Sequence, residues 1–354
     1  MLLVKIIVKI KIPMNLRNLL IYLSLGCGQT ERICVIVLNG CENREKNRKN
    51  DLPIADSQME NIFFRWWGCG AFDACFGDIN IAFDPYLFNQ NLADVQPIYD
   101  YIFISHEHFD HCHPETLRKL CRGKHFKKLF VNPGCMTPAQ PIAEKYGDAA
   151  FERDLPITKH VPADKVQILY PKHLNERQGV SRNFQGSDTL SLGDIQVETI
   201  ESGENQTPNL PTNGYLITHT KKNVSILHIG DLHEPYPALA NLHGKVDFLI
   251  HMKLGIGGGL APRLIELLEL IQPHYMIPTH YRTDRKSDPI PEGHWPPNVT
   301  DEMAFIESMR AIIGNRTQLL PFTAGVEYAV EMPQKQVIWK WEWFNTWDVP
   351  PWRG

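Results

Sequence analysis

Three imidazoles and a carboxylate fall within six residues at His106-Glu107-His108-Phe109-Asp110-His111. Neutral imidazole and carboxylate are the ligand types that suit Zn²⁺, and also Fe or Mn. The two leading histidines stand at i and i+2, which suits an extended loop, whereas a helix-borne pair needs i, i+4. Crowding these groups together is costly unless something neutral or positive sits between them. The chemistry open to such a cluster is metal-assisted hydrolysis, in which water acidified toward a pKa of ~7 attacks a carbonyl or phosphoryl centre. The plainer alternative is a polar loop that happens to be His-rich.

A cluster of this kind needs a rigid carrier, and Tyr101-Ile102-Phe103-Ile104 directly before it reads as a strand buried on both faces. After it, Pro114 and Glu115 sit in the first turn of a helix over 114–120. Upstream, 62–67 and 79–83 are expected to pair as strands joined through the turn Phe76-Gly77-Asp78. Further strands are expected at 165–170, 189–192, 195–200, 215–218, 224–229, 246–251 and 274–278, and near the end at 318–322, 326–331 and 337–343. A helix follows Gly255-Ile256-Gly257-Gly258-Gly259, with Pro262 near its start and Leu264, Ile265, Leu267, Leu268 and Ile271 as a broad apolar face. Another is expected near 301–313. Strands and helices alternate with hairpins at both ends, so residues 59–354 read as one α/β domain without a repeat of solenoid length.

The segment at 106–111 resembles the HxHxDH motif of the metallo-β-lactamase superfamily, with all four motif positions matched. That resemblance implies a four-layer αββα fold and one or two metal ions, zinc first, with manganese or iron as alternatives. It also implies where the remaining ligands lie. Gly230-Asp231-Leu232-His233 matches the family's Gly-Asp segment, so Asp231 would bridge two metals, and Thr279-His280-Tyr281 matches the final ligand histidine. The metal set is then His106, His108, Asp110, His111, Asp231 and His280, with Asp110 or Asp231 as proton acceptor. The third histidine of the family is absent; the chain has Glu201-Ser202-Gly203-Glu204 instead, with Glu204 the closest match and Glu201 the next. Either a carboxylate completes the first site, or the second metal alone is tightly held.

The stretch from about 60 to 320 is most similar to the subgroup of ascorbate-6-phosphate lactonase and the phospholipase D that cleaves N-acyl-phosphatidylethanolamine. The similarity rests on Ala82-Phe83-Asp84-Pro85, HxHxDH, Gly230-Asp231, the glycine run at 255–258 and Pro278-Thr279-His280-Tyr281. The subgroup's aspartate two residues beyond the motif is His113 here, expected to act as a donor behind the ligands, with a ligand or a proton shuttle as the other readings. Asp84 is expected to orient a ligand imidazole, or else to make a turn. His233, Lys253 and Arg282 lie beside the ligand-bearing strand ends, and the two cations could meet a phosphate or carboxylate. The polar stretch 171–188 reads as a solvated loop, with a lid over an anionic group as the other reading. The tail with Trp339, Trp341, Trp343, Phe344, Trp347 and Trp352 is assigned to packing or an oligomer contact.

With 354 residues and a formal charge of −4, the chain can bury a sizeable core and offers no basic stripe for nucleic acid. Eight cysteines, none beyond Cys135 and none in a CxxC pair, point to reduced thiols, although a bridge such as Cys69–Cys75 is compatible with the count. Residues 1–58 stand apart as a leader. A basic apolar start and a second apolar run ending at Cys41 resemble a lipoprotein signal; the alternative is an overcalled start codon followed by a disordered segment. The first reading places the protein in a bacterial envelope, anchored by lipid alone, and the second in the cytoplasm. The function expected is hydrolysis of an ester, lactone, amide or phosphodiester of a small, anionic substrate. Its rivals are a di-iron redox or oxygen-handling protein on the same fold and a non-catalytic binding protein whose first site has decayed.

Overall fold

A computed structural model describes residues 62–77, 79–86, 98–108, 110–137, 156–172, 189–202, 210–252, 261–280, 302–322, 327–332 and 334–338, and the backbone of 19–25 and 32–38. The chain divides into two units, Met1–Ser57 and Gln58–Gly354. In the first, β1 (Leu19–Leu25) and β2 (Arg32–Leu38) pair antiparallel, Leu19 opposite Leu38. Among the described residues no helix is long and apolar enough to cross a membrane.

The second unit begins with β3 (Ile62–Gly68), β4 (Ala71–Cys75), β5 (Asn80–Phe83) and β6 (Tyr101–Phe103), followed by α1 (Pro114–Leu120), β7 (Lys128–Val131) and β8 (Val166–Ile168). It continues through β9 (Thr189–Leu192), β10 (Ile195–Glu201), β11 (Asn213–His219), β12 (Val224–His228) and β13 (Phe248–Met252). Helix α2 (Ala261–Ile271), β14 (Tyr275–Thr279), α3 (Glu302–Ile313), β15 (Gln318–Leu319), β16 (Glu327–Glu331) and β17 (Gln336–Ile338) complete it. The first sheet runs β17-β16-β3-β4-β5-β6-β7-β8 and the second β15-β14-β13-β12-β11-β10-β9. In each, one half is parallel: β5 through β8 in the first and β12 through β15 in the second.

One expected pairing is corrected. The strands at 62–68 and 80–83 are not neighbours, because β4 lies between them and pairs with both. A tight turn at Cys69-Gly70, with Gly68 at φ 106° and Cys69 at φ 48°, reverses the chain earlier than the 76–78 turn does. Cysteine is no turn former by type, so composition conceals this reversal.

Alternation along β3 sends Ile62, Phe64 and Trp66 into the core between the sheets and Trp67 to the outer face. Across that core the rings of Phe64 and Phe248 meet edge to face at 5.0 Å, and Phe103 meets Tyr215 at 5.1 Å. On the outer face of the first sheet, Ala82, Ile102, Ile104 and Leu129 pack with Leu117 and Leu120 of α1. Helix α2 buries Leu264, Leu267, Leu268 and Ile271, the i, i+3, i+4, i+7 stripe, and leaves Ile265 half-buried at its edge. It touches α3, which touches β15, so helices flank the paired sheets on both sides. This is the αββα arrangement.

Candidate metal centre

The HxHxDH loop is seated where the two sheets meet. Ile104 donates its N–H to Phe130 O at 2.8 Å, and the Tyr215 hydroxyl donates to Ile104 O at 2.6 Å. One residue on, Asn213 at the start of β11 donates to Ser105 O at 2.8 Å. The other ligand candidates leave the C-terminal ends of β12 and β14. Before Asp231, Gly230 has φ 59°, and a Cβ there would come within 2.6 Å of Ser202 Oγ and 2.9 Å of Ser105 Cβ. Only a glycine lets the end of β12 close on the loop. His280 takes φ 59° and donates its N–H to Cys69 O at 3.2 Å.

These elements bring two donor groups together, His106, His108 and Asp231 in one, His111, Asp231 and His280 in the other, each with donor atoms within 4.8 Å of one another. Asp231 belongs to both. Its Oδ2 lies 3.3 Å from His111 Nε2 and 4.0 Å from His106 Nε2, and its Oδ1 lies 3.5 Å from His280 Nε2. His106 Nε2 stands 2.7 Å from His108 Nδ1, and His111 Nε2 stands 3.3 Å from His280 Nε2. Asp110 Oδ2 is 3.7 Å from His111 Nε2. Cys69, Asp110 and His280 form a third overlapping group.

Behind the donors, three imidazoles each have Nδ1 engaged by oxygen. Asp84 Oδ2 accepts from His111 Nδ1 at 2.8 Å and from the Ser105 hydroxyl at 2.6 Å, while Ser105 Oγ faces His106 Nδ1 at 2.9 Å. Thr279 Oγ1 faces His280 Nδ1 at 3.1 Å. With Nδ1 committed, Nε2 of each ring is turned into the cluster, the arrangement typical of histidine metal ligands. Asp84 is itself fixed: fully buried, at φ 44°, it accepts the Ser105 N–H at 2.6 Å. Cys69, Asp84 and His280 are three of the six non-glycine residues with positive φ among those described. Each costs on the order of 1–3 kcal/mol, so half of the described residues under this strain lie at this one place.

The electrostatics favour a cation in the centre. Burial alone would pull the His111 pKa down, but Asp231, Asp110 and Asp84 outweigh it and hold the pKa well above the ordinary value. Burial opposes ionisation of Asp231 too, yet His111 and His280 keep its carboxyl well below the usual range; Asp110 is lowered against burial by His111 and His108. Burial lowers His280, leaving the neutral ring that a ligand must be. Asp231 Oδ1 is buried with no hydrogen-bond partner among the described residues. A proton favoured on His111 where a cation would sit, a neutral His280 ring, ionised carboxylates and a buried carboxylate oxygen without a hydrogen bond at one point fit a divalent metal ion, which would take the place of that proton.

The remaining expected site residues are placed differently. His113 caps α1: its Nδ1 accepts Thr116 N–H at 3.2 Å, and burial lowers its pKa to about 4. His233 is exposed. Glu204, Lys253 and Arg282 lie outside the described residues, as do 173–188 and the aromatic tail from 339. Glu201 ends β10 and is buried. None of Cys69, Cys75, Cys112, Cys121 and Cys135 is in a disulfide, which agrees with reduced thiols and removes the Cys69–Cys75 bridge.

Beside Ser105 and Thr279, two further residues escaped the sequence reading. Cys69 Sγ lies 3.1 Å from Asp110 Oδ2. His251 ends the apolar run of β13, between the strands carrying Asp231 and His280, and is 1% exposed with neither ring nitrogen hydrogen-bonded among the described residues. Burial takes its pKa to about 3. A lone histidine closing a buried strand was the available signal.

Residues 64–280 match the family described as the β-lactamase superfamily domain. The chain belongs to the β-lactamase superfamily. The match spans the first-sheet strands, the HxHxDH loop, Asp231 and His280, so the superfamily's domain contains every donor described above. Among relatives, a UPF0173 protein of Pyrococcus furiosus is 27% identical over 190 residues, covering 54% of this chain and 70% of that protein. One from Pyrococcus abyssi is 26% identical over 218 residues, 62% of this chain and 82% of that one. A solved variant of the CmlA β-hydroxylase is 14% identical, covers 78% of this chain and 55% of its own, and shares the fold with a TM-score of 0.51. Igni18, a metallo hydrolase of Ignicoccus hospitalis, is 14% identical over 77% of this chain and 100% of that one, with a TM-score of 0.49.

Proposed function

We propose that this superfamily member is a metal-dependent hydrolase that holds two cations, one among His106, His108 and Asp231, the other among Asp110, His111, Asp231 and His280. The observation that carries the reading is the membership of Asp231 in both donor groups, with one buried oxygen left unbonded. By position in the sequence, Glu204 and then Glu201 are the candidates for the remaining ligand of the first site.

When bound, the ions supply Lewis acidity, acidifying water and stabilising a developing oxyanion. The chain's residues do the rest. Asp84 and Ser105 hold the His111 and His106 rings in the ligand tautomer, and Thr279 does so for His280. Asp110 and Asp231, both kept ionised, are the carboxylates positioned to take the proton that water loses. The substrate class is a small ester, lactone, amide or phosphodiester carrying negative charge, and Lys253 and Arg282, each following a ligand-bearing or neighbouring strand in the sequence, are the candidate cations for it. Zinc is the first choice of metal, with manganese or iron next.

A carboxylate at the missing-histidine position also suits iron, which gives the second reading, a di-iron redox protein on the same fold. Elemental analysis of the aerobically purified full chain, beside assays on ester, lactone and phosphodiester panels, separates them. About two zinc or manganese ions per chain, with hydrolysis, and loss of both in Asp231→Ala, is the expected result. Iron without hydrolysis moves the assignment to redox chemistry. A parent chain that binds no metal overturns both.

A further inference from the structure

We propose that Cys69 is a thiolate ligand of the second metal site, so that this site takes a thiophilic divalent cation, zinc or ferrous iron, in preference to manganese or magnesium. The inference rests on the two-metal reading above and adds to it a donor that no part of the HxHxDH pattern supplies.

Cys69 lies in the β3–β4 turn, far in sequence from the motif loop, yet its Sγ is 3.1 Å from Asp110 Oδ2, and Sγ, the Asp110 carboxylate and the His280 ring share one donor group within 4.8 Å. Donors about 2.3 Å (sulfur) and about 2.0–2.2 Å (nitrogen, oxygen) from one ion stand a few ångströms apart, as these do. The turn is seated on the site as a unit. Its carbonyl at Cys69 accepts the His280 N–H at 3.2 Å and the Trp66 indole N–H at 2.9 Å. At the next residue, a Cβ on Gly70 would come within 2.7 Å of His111 Cε1 and 3.1 Å of His280 Cε1. The backbone therefore lies against both ligand rings, and Cys69 is 2% exposed beside them. The second, independent pointer to an ion at this spot is the buried Asp231 Oδ1, unbonded and 3.5 Å from His280 Nε2.

On coordination the S–H bond breaks and a metal–sulfur bond forms, and the proton leaves through Asp110, the thiol's hydrogen-bond acceptor, to solvent. A thiolate is the soft ligand in an otherwise imidazole–carboxylate set, which sets the preference among metals.

Two measurements on the full chain test this. In the unmutated protein loaded with zinc, X-ray absorption at the zinc edge is expected to require a sulfur neighbour at about 2.3 Å. In the cobalt(II)-loaded protein, a near-ultraviolet thiolate-to-cobalt charge-transfer band is expected in the parent and in Cys112→Ser. It is expected to vanish in Cys69→Ser while the variant still binds cobalt. Competition of zinc against manganese should shift toward manganese at least tenfold in Cys69→Ser. Metal bound with only nitrogen and oxygen neighbours, or a band that survives Cys69→Ser, overturns the thiolate ligand and leaves the two-metal hydrolase standing. A parent that binds neither zinc nor cobalt overturns both.

Discussion

Asp84 never needs to touch an ion to govern how one is held. Its carboxylate commits His111 Nδ1 directly and His106 Nδ1 through Ser105. Asp84→Asn retains one acceptor oxygen but exchanges the other for a donor, so the three bonds that the carboxylate accepts, from Ser105 N–H at Oδ1 and from the Ser105 hydroxyl and His111 Nδ1 at Oδ2, cannot all be kept. Metal affinity is expected to fall 10–100-fold, read by competition with a chromophoric chelator, while circular dichroism stays that of the parent. Asp231 and His106 differ in reach. Because Asp231 belongs to both donor groups and His106 to one, Asp231→Asn is expected to empty both sites and His106→Ala to release one ion, as counted by elemental analysis. Equal losses from the two variants would contradict a bridging role for Asp231.

At the scale of elements, the β3–β4 turn and the start of α1 are the parts whose conformation the site depends on. Gly70→Ala places a methyl 2.7 Å from the His111 ring, which is not the far end of a flexible chain but a ring held by Asp84. The expected outcome is loss of metal at the second site, with elemental analysis showing one ion retained at the first. At α1, the neutral His113 ring is what accepts Thr116 N–H, and burial lowers its pKa to about 4 from an ordinary value of ~6.5. Between those values the unfolded chain binds a proton that the folded chain refuses. The stability due to neutral His113 is therefore full above pH ~6.5 and is lost as pH falls toward about 4. His113→Ala is expected to cost about 1 kcal/mol at neutral pH and His113→Asn, another N-cap former, much less. Both should flatten the decline between pH 6.5 and 4, measured by denaturant unfolding of metal-free protein; a decline as steep as the parent's would remove His113 as its source.

The whole second unit acts as a clamp around the site. The loop 105–111 grows from the first sheet, Asp231 and His280 from the second, and His111 and His280 face each other across 169 residues of sequence. A metal that binds this arrangement and not the unfolded chain must stabilise the pairing of the sheets, by about 2.7 kcal/mol at a free concentration of 100 Kd. Thermal unfolding should accordingly shift upward with zinc and return with chelator. A melting temperature indifferent to zinc at saturating occupancy would argue that the ion does not join the sheets. The core between them sets the baseline: Phe64→Ala removes a fully buried ring that contacts Phe72 at 5.6 Å and Phe248 at 5.0 Å. About 3–5 kcal/mol should be lost in denaturant unfolding, whether metal is present or not.

The sequence by itself determined the parts whose causes are local. HxHxDH after a buried strand, Pro114 and Glu115 opening α1, the apolar stripe of α2, and Gly230 before Asp231 are each written in contiguous residues. Thiols without CxxC spacing pointed to the reduced cysteines observed. Tertiary structure alone decided what depends on distant residues meeting. Cys69 reaches Asp110 across 41 positions, Asp84 reaches His111 across 27, and Glu107, inside the motif, turns away from the donors to bind Asn132 at 2.8 Å. No local pattern marks these, because a turn cysteine, a strand-end aspartate and a buried histidine such as His251 look the same whether they face a core or a cation. Which they face is settled by how the two sheets stack and which strand ends are thereby brought to one point.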